Sequence, residues 1–394
     1  MTRTVARLRP LGETIFSTMS NLARAHGAVN LGQGAPDFDG PAPVLAKAQQ
    51  EIAAGNNQYP PDTGHAVLRE AICAERAARL GHVYDPDTEC IVTVGATEAI
   101  TAAVLGLVEP GQTVVLIEPY YDSYLAAVVL AGAQHVSVPL VRGEDSWRLD
   151  AKAMSRVIEE HDVAMIIVNS PHNPTGTVLH DDDLAVIADA ARRADAIVFS
   201  DEVYEHLIYD GGVHRSIVDQ PGMRERSIVV SSAAKTFNVT GWKTGWALAP
   251  ADLVEGILAA KQFITCVGCG PVQPAVAVGL AECGDWIADL RNTLQGNRDY
   301  LLHRLHGMGI NCLGAEAGYF VVADARPLGY PSAMEACLAL PEAAGVAGIP
   351  VSAFVDEPDD ERWRHGIRFG FCKKRESMTE ALDRLETHLT RVRG

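Results

Sequence analysis

Lys235 stands in Ser231-Ser232-Ala233-Ala234-Lys235-Thr236-Phe237-Asn238, directly after the apolar run Ser227–Val230. A lysine amine can add to an aldehyde, and small neighbours leave room for an aldehyde-bearing ring beside it. Ser232 and, eight positions beyond the lysine, Lys243 offer a hydroxyl and a charge to a phosphate. By itself such a lysine reads as a surface residue in a Gly/Ser loop, so the case rests on its companions. Asp201 closes the run Ile197-Val198-Phe199-Ser200. A carboxylate there either caps a helix or partners a buried cation, and opposite a pyridine nitrogen it would keep the ring protonated and electron-withdrawing. Tyr204 follows three residues on, so a turn would return its hydroxyl to the same ring. Asn173, in the turn-rich stretch Asn169-Ser170-Pro171-His172-Asn173-Pro174-Thr175-Gly176, offers an amide donor. Ala96 and Thr97 begin a helix after another apolar run, where unpaired backbone N–H groups suit a phosphate. Arg368 alternates with Ile367 and Phe369, on a face shared with Gly370 and Cys372. Two small neighbours there give a guanidinium room to take a carboxylate; an exposed strand arginine is the equal alternative from pattern alone.

These residues fall just beyond short β-rich runs at 90–94, 113–117, 163–168, 196–199 and 227–230. Helical stretches such as 99–108 and 183–193 lie between them. The alternation predicts βαβ units and a mainly parallel sheet covered on both faces, with ligands at the carboxyl ends of its strands. After about residue 285 a long amphipathic helix through Trp286, Leu290, Leu294, Leu301 and Leu305 opens a different pattern. Strands at 319–322 and 366–371 and helices near 332–340 and 378–389 complete it. The expected architecture is α/β: a large domain over 46–280 and a smaller α+β domain over 281–394, with 1–45 as an arm and part of the small domain. The helix 253–264 reads as the join between lobes.

The composition narrows the function. The 394 residues carry 33 basic and 50 acidic side chains, a net charge of −17. That field repels nucleic acid and anionic membrane surfaces. No apolar run approaches the roughly 20 residues that cross a bilayer. Met1–Pro10 is basic but lacks the apolar stretch of a secretory signal, and the eight scattered cysteines suit free thiols in a reducing cytoplasm. Cys266-Val267-Gly268-Cys269 has the spacing of a zinc or redox pair, but no second pair lies at ligand spacing and no metal is expected. The run Asp356-Glu357-Pro358-Asp359-Asp360-Glu361 reads as a solvated loop.

Taken together, Asn30-Leu31-Gly32-Gln33-Gly34, Asn56-Asn57-Gln58-Tyr59, Val94-Gly95-Ala96-Thr97-Glu98, the 169–176 stretch, Asp201-Glu202-Val203-Tyr204, the lysine segment and Arg368 occur in the order seen in one family. The chain resembles the class I/II aminotransferases of fold type I, which use pyridoxal 5′-phosphate. It is most similar to the subgroup of kynurenine aminotransferase, cysteine-conjugate β-lyase and N-succinyldiaminopimelate aminotransferase. The resemblance implies that Lys235 is the Schiff-base lysine, moving an α-amino group between an amino acid and a 2-oxo acid. It implies that Asp201 pairs with the pyridine nitrogen, that Tyr204 and Asn173 meet the ring oxygen, and that Tyr121 stacks on the ring. Gly95, Ala96, Thr97, Ser232 and Lys243 resemble the phosphate cup. Tyr59 matches a tyrosine that reaches the phosphate from the other subunit, implying a homodimer with shared sites. Gly34, Asn169 and Arg368 match the holders of the substrate α-carboxylate. Where the subgroup has Phe, this chain has Ala35 and Val272, from which a roomier substrate pocket is expected. A C–S β-lyase acting on a bulky cysteine conjugate, or another deaminating or decarboxylating outcome, is the alternative that the same residues allow. A regulatory, DNA-retained version of the fold ranks below both, because the arm is short and the charge negative.

Overall fold

The computed structural model describes residues 3–144, 146–313 and 315–393. Its centre is an eight-stranded sheet in the order Cys90–Val94, Thr244–Leu248, Ser227–Ser232, Ile197–Asp201, Val163–Asn169, Thr113–Glu118, Gln134–Arg142, Trp147–Leu149. Thr244–Leu248 runs against both its neighbours, and Trp147–Leu149 runs against Gln134–Arg142. The other pairings are parallel. These strands are nearly continuous apolar runs because both of their faces are covered. Val114 and Leu116 pack on one side with Ile100, Val104, Leu253 and Ile257. Val115 and Ile117 pack on the other with Met154, Leu184 and Ile187, as a period of two requires. The helix Ala151–Glu160 begins where the Asp150 carboxylate accepts from the N–H groups of Lys152 and Ala153, each at 3.0 Å, closing two otherwise open donors.

The second layer is a four-stranded antiparallel sheet, Cys312–Leu313, Phe320–Asp324, Gly366–Gly370 and Ile349–Pro350 in that order. Helices Ile15–His26, Gly284–Gly307, Ala333–Ala343 and Arg375–Arg393 bury Met19, Leu294, Leu301, Leu340 and Leu385 against it. The α/β class with a mainly parallel sheet and a smaller α+β part is therefore what the chain adopts.

Two sequence expectations change. The helix Ala251–Ile264 is not a connector: Leu253, Val254 and Ile257 belong to the core of the large sheet. A helix read from sequence does not show what its buried face packs against. The helix read over 99–108, with Ala96 and Thr97 at its beginning, starts at Gly95, so the Gly95-Ala96-Thr97 amides form its first turn.

Candidate active site

Register brings the chemistry together. Asn169 pairs with Asp201, and Asp201 with Val230, so three parallel strands end at one level. Beyond those ends lies a cavity of about 400 Å³. It is lined by Lys235, Asp201, Tyr204, Asn169, Asn173, Tyr121, Ser232 and Lys243, by Gly95, Ala96 and Thr97, and by Gly34 and Arg368 from the smaller domain's side. Of the residues expected to hold the cofactor or the substrate carboxylate, only Tyr59 is elsewhere; it stands 89% exposed on the loop after the helix Ala42–Ala53.

Lys235 sits in the four-residue helix Ala233–Thr236. Ser232 caps that helix, accepting from Ala234 N–H at 3.2 Å and donating to Thr244 O at 3.0 Å. The Lys235 ammonium donates to Gly34 O at 3.1 Å and lies 5.1 Å from the centre of the Tyr319 ring. Burial lowers its pKa to about 8, with the Arg368 and Lys243 cations adding to the effect while Cys372 and Asp201 oppose it. Asp201 is 4% exposed. Burial pushes its pKa up to about 6 against hydrogen bonds from Tyr124 and Val203. Tyr124 donates to Oδ2 at 2.7 Å, and Val203 N–H to Oδ1 at 3.2 Å. A cation brought to that carboxyl would reverse the shift.

The turn carrying Asp201 and Tyr204 is pinned from behind. Arg76 Nη1 donates to Glu202 and to Glu205, both at 2.8 Å, and Arg76 Nη2 to Ser216 at 2.9 Å. His214 Nε2 lies 2.7 Å from Glu202, and Glu202 is held down to about 2, burial notwithstanding, by Arg76 and His214. Glu202, Glu205 and His214 lie close enough together to share an ion, but Arg76 already spans both carboxylates. This cluster braces the turn.

At the other end Arg368 is 1% exposed. Its Nη1 donates to Asn173 Oδ1 at 2.8 Å and its Nη2 to Gly32 O at 2.6 Å, while its Nε has no partner. The guanidinium lies 3.9 Å from the Phe320 ring centre. Gly34 lets that ring in: a Cβ there would stand 2.6 Å from Phe320 Cζ. Asn169 donates to Asp201 O at 2.9 Å and accepts from Asn173 N–H at 2.7 Å, so it shapes the turn bearing Asn173 as well as lining the cavity.

The residues fit a phosphorylated pyridine aldehyde on several independent points. The helix starting at Gly95 has no side-chain cap, leaving its first amides open to an anion. Gly95 adopts φ +70°, a conformation that favours glycine, and a Cβ there would lie in ordinary contact with Lys243 Cε and Nζ at 3.4 Å. At Gly245 a Cβ would strike Gly95 C at 2.7 Å and Ala96 N at 2.8 Å. The cup is thus built from close backbone approach beside a lysine side chain. Asp201 lines the same cavity.

Several lining residues escaped the sequence reading, among them Phe16, Tyr124, Thr240 and Phe320. Tyr124 is a helix residue 77 positions from Asp201, and only the fold makes them neighbours. Val272 is buried at the start of the helix Val272–Glu282 and does not line the cavity. Of the two bulk-removing differences, only Ala35 reaches it. Asp356, expected in a solvated loop, instead accepts from Tyr120 at 2.7 Å and Ser137 at 2.6 Å.

The chain is similar to known proteins over nearly its whole length. The chain is 52% identical over 388 residues to a probable N-succinyldiaminopimelate aminotransferase of Mycobacterium tuberculosis, covering 97% of this chain and 98% of that one. It is 36% identical to the methionine aminotransferase of Escherichia coli, over 96% and 97% of the two chains. The solved N-succinyldiaminopimelate aminotransferase of M. tuberculosis superposes with a TM-score of 0.95 over 98% of this chain and 100% of that one, at 52% identity. The family described as aminotransferase class I and II matches residues 27–385. The chain belongs to that family: it is a pyridoxal 5′-phosphate-dependent aminotransferase that moves an amino group between an amino acid and a 2-oxo acid.

Proposed function

We propose that Lys235 is the lysine that carries the cofactor, and that the residues around it act by position. Bound pyridoxal 5′-phosphate supplies an aldehyde carbon and a ring that draws electrons from the substrate Cα. The rest is the chain's own work. The amides of Gly95–Thr97, with Ser232 and Lys243, hold the phosphate. Asp201 pairs with the ring nitrogen, Tyr121 covers a ring face, and Tyr204 and Asn173 meet the ring oxygen. Lys235, with its pKa lowered to about 8, accepts the proton from the substrate Cα at Nζ near neutral pH. Phe320, Phe16 and Phe354 around Arg368 keep water from that end.

The observation that carries this reading is Arg368. A buried cation with one N–H unpartnered, and with no carboxylate paired to it among the described residues, is costly until an anion completes it. The substrate α-carboxylate is that anion, and Gly34 and Asn169 stand beside it.

As amino donor we assign N-succinyldiaminopimelate, supported by the 52% identical relative of that name and by the small Ala35 at the cavity. The comparisons do not favour the C–S lyase alternative. We further assign residues 46–280 to the cofactor-binding domain and 281–394, with 1–45, to the smaller one, supported by the common core of Met19, Leu294 and Leu385. We infer a homodimer in which the exposed Tyr59 enters the partner's phosphate site. We also infer a cytoplasmic location, supported by eight free cysteines; no described helix is long and apolar enough to cross a membrane.

The test is a titration of the holoenzyme with N-succinyldiaminopimelate, methionine, kynurenine and a cysteine S-conjugate, followed by its visible absorbance. N-succinyldiaminopimelate should bleach the band with the highest kcat/KM, and a 2-oxo acid should restore it. A higher kcat/KM for methionine or kynurenine would reassign the donor, and a band that returns unaided as pyruvate accumulates would restore the lyase.

A further inference from the structure

Behind the helix that starts at Gly95 lies a buried polar relay that the chemistry described so far does not use. Glu98, 5% exposed, occupies the first turn of that helix. Its Oε2 accepts from Val94 N–H at 2.6 Å, and its Oε1 accepts from the Thr265 hydroxyl. Val94 is the residue immediately before Gly95, so Glu98 holds the strand-to-helix turn from within. Thr265 begins a loop whose next residue, Cys266, has φ +64°. Cys266 O accepts from Lys261 Nζ at 2.7 Å, and the same ammonium donates to Asp62 O at 2.8 Å. Lys261 is 1% exposed. Burial pulls its amine pKa down, and the nearby Glu98 charge is the first influence opposing that.

A lysine is an expensive way to fill a core position, because its charge must be kept satisfied. Here it ties two loops, reaching a carbonyl 199 positions away in sequence. Asp62 closes the loop Asn56–Asp62, which carries Tyr59. The two loops are also in close contact directly, since a Cβ at Gly270 would stand 3.0 Å from Gln58 O. His65 N–H donates to Gln273 Oε1 at 2.8 Å, a second tie between the same segments. The relay therefore runs from the Val94–Gly95 turn through Glu98 and Thr265 to Lys261, and ends on the Tyr59 loop.

We propose that Glu98, Thr265 and Lys261 are positioning residues for the phosphate end of the site, fixing the Val94–Gly95 turn and the Tyr59-bearing loop in one register. The inference rests on the reading that Gly95–Thr97 and Lys243 hold the cofactor phosphate. None of the three lines the cavity, so they act through the turn and the loop they hold.

The test starts from holoenzyme. Cofactor release on dilution is followed by visible absorbance, and the bound phosphate by its 31P resonance. Glu98→Ala leaves a buried N–H open and should weaken cofactor affinity by about tenfold, with a displaced 31P line. Glu98→Gln keeps an acceptor for Val94, and the Thr265 hydroxyl can reverse its hydrogen bond, so affinity and line should return to within about twofold of the parent. Lys261→Met should weaken affinity as Glu98→Ala does. Thr265→Val removes one donor from Glu98 but leaves its bond from Val94 N–H in place, and it carries the test should Glu98→Ala fail to fold. Parent-like affinity and 31P line in Thr265→Val and Lys261→Met would overturn the proposal, as would a Gln variant no better than Ala. So would a loss of affinity that merely tracks the melting temperature of the cofactor-free protein. Lys243→Ala separates the two readings. If it retains cofactor as the parent does, the phosphate assignment itself is wrong; if it loses cofactor while the relay variants do not, only the relay is wrong.

Discussion

Asp201 is a buried carboxyl with no salt bridge to it among the described residues. Tyr124 and the Val203 amide partly offset its burial, and its pKa still rises to about 6. An unfolded chain titrates the same carboxyl near 4. Between those values the native cofactor-free protein holds a proton that the unfolded chain has released. Stability contributed by this group therefore falls as pH rises from about 4 to about 6 and is level above that. Asp201→Asn removes the dependence. Urea unfolding of cofactor-free parent and variant across that window should show the parent losing stability relative to the variant as pH rises. A flat difference would mean that Asp201 is ionised throughout. Residues of this kind were legible in sequence because a charged or hydroxyl side chain right after an apolar run sits at a strand's carboxyl end. Tyr124 and Arg76 were not, since a tyrosine or arginine within a helix signals nothing until a strand 77 or 126 positions away arrives beside it.

Between elements, Asp356 ties the segment after Phe354 to the strands Gln134–Arg142 and Thr113–Glu118 of the large sheet. Its carboxylate is held down to about 2, against burial, by the hydrogen bonds of His135, Ser137 and Tyr120. Asp356 N–H donates to Glu118 Oε1 at 2.6 Å. His135 Nε2 lies 2.9 Å from Asp356, and that hydrogen bond lifts the imidazole pKa above its ordinary value. Burial raises Glu118 as well; the hydrogen bond from Asp356 N–H and the Arg362 charge oppose this, while the Asp356 charge adds to it. The next core contact is Trp147 against Trp363, ring centres 4.3 Å apart. The signs give this tie a pH range. The raised His135 stabilises it fully below about 6.5 and loses that contribution as pH rises through its folded value. The depressed Asp356 contributes above about 4 and fails as pH falls toward 2. NMR titration of the imidazole in Asp356→Asn should return the His135 pKa to the ordinary range, and an unchanged midpoint would show that Asp356 is not its partner. The acidic run suggested only a solvated loop because its first residue faces groups more than 200 positions away. The helix Ala251–Ile264 misled for the same reason: periodicity reports that a face is buried and not what buries it.

At the scale of the whole molecule, the 394 residues place thirteen of the fourteen residues expected at the site around one cavity and leave Tyr59 outside it. Ile52 and Phe263 are also strongly exposed, at 54% and 86%, on the helices just before the Tyr59 loop and just before the Thr265 loop that it touches. Large apolar groups gathered on one side of a soluble protein mark a contact surface. In a two-fold dimer the same patch meets its own copy, and Tyr59 then belongs to the partner's cavity. The consequence is complementation. Tyr59→Ala and Lys235→Ala homodimers should both be impaired, the second completely. In a hybrid, the subunit that keeps Lys235 receives the intact Tyr59 of its partner, and one complete site is rebuilt. Random reassembly of equal amounts makes about half of the dimers hybrid, each with one good site of two, so activity should recover to about a quarter of the parent's. If each site were built from one chain, the mixture would show only the average of the two homodimers. Measuring turnover before and after subunit exchange distinguishes the two arrangements, because sharing alone makes two defective chains better together than either is apart.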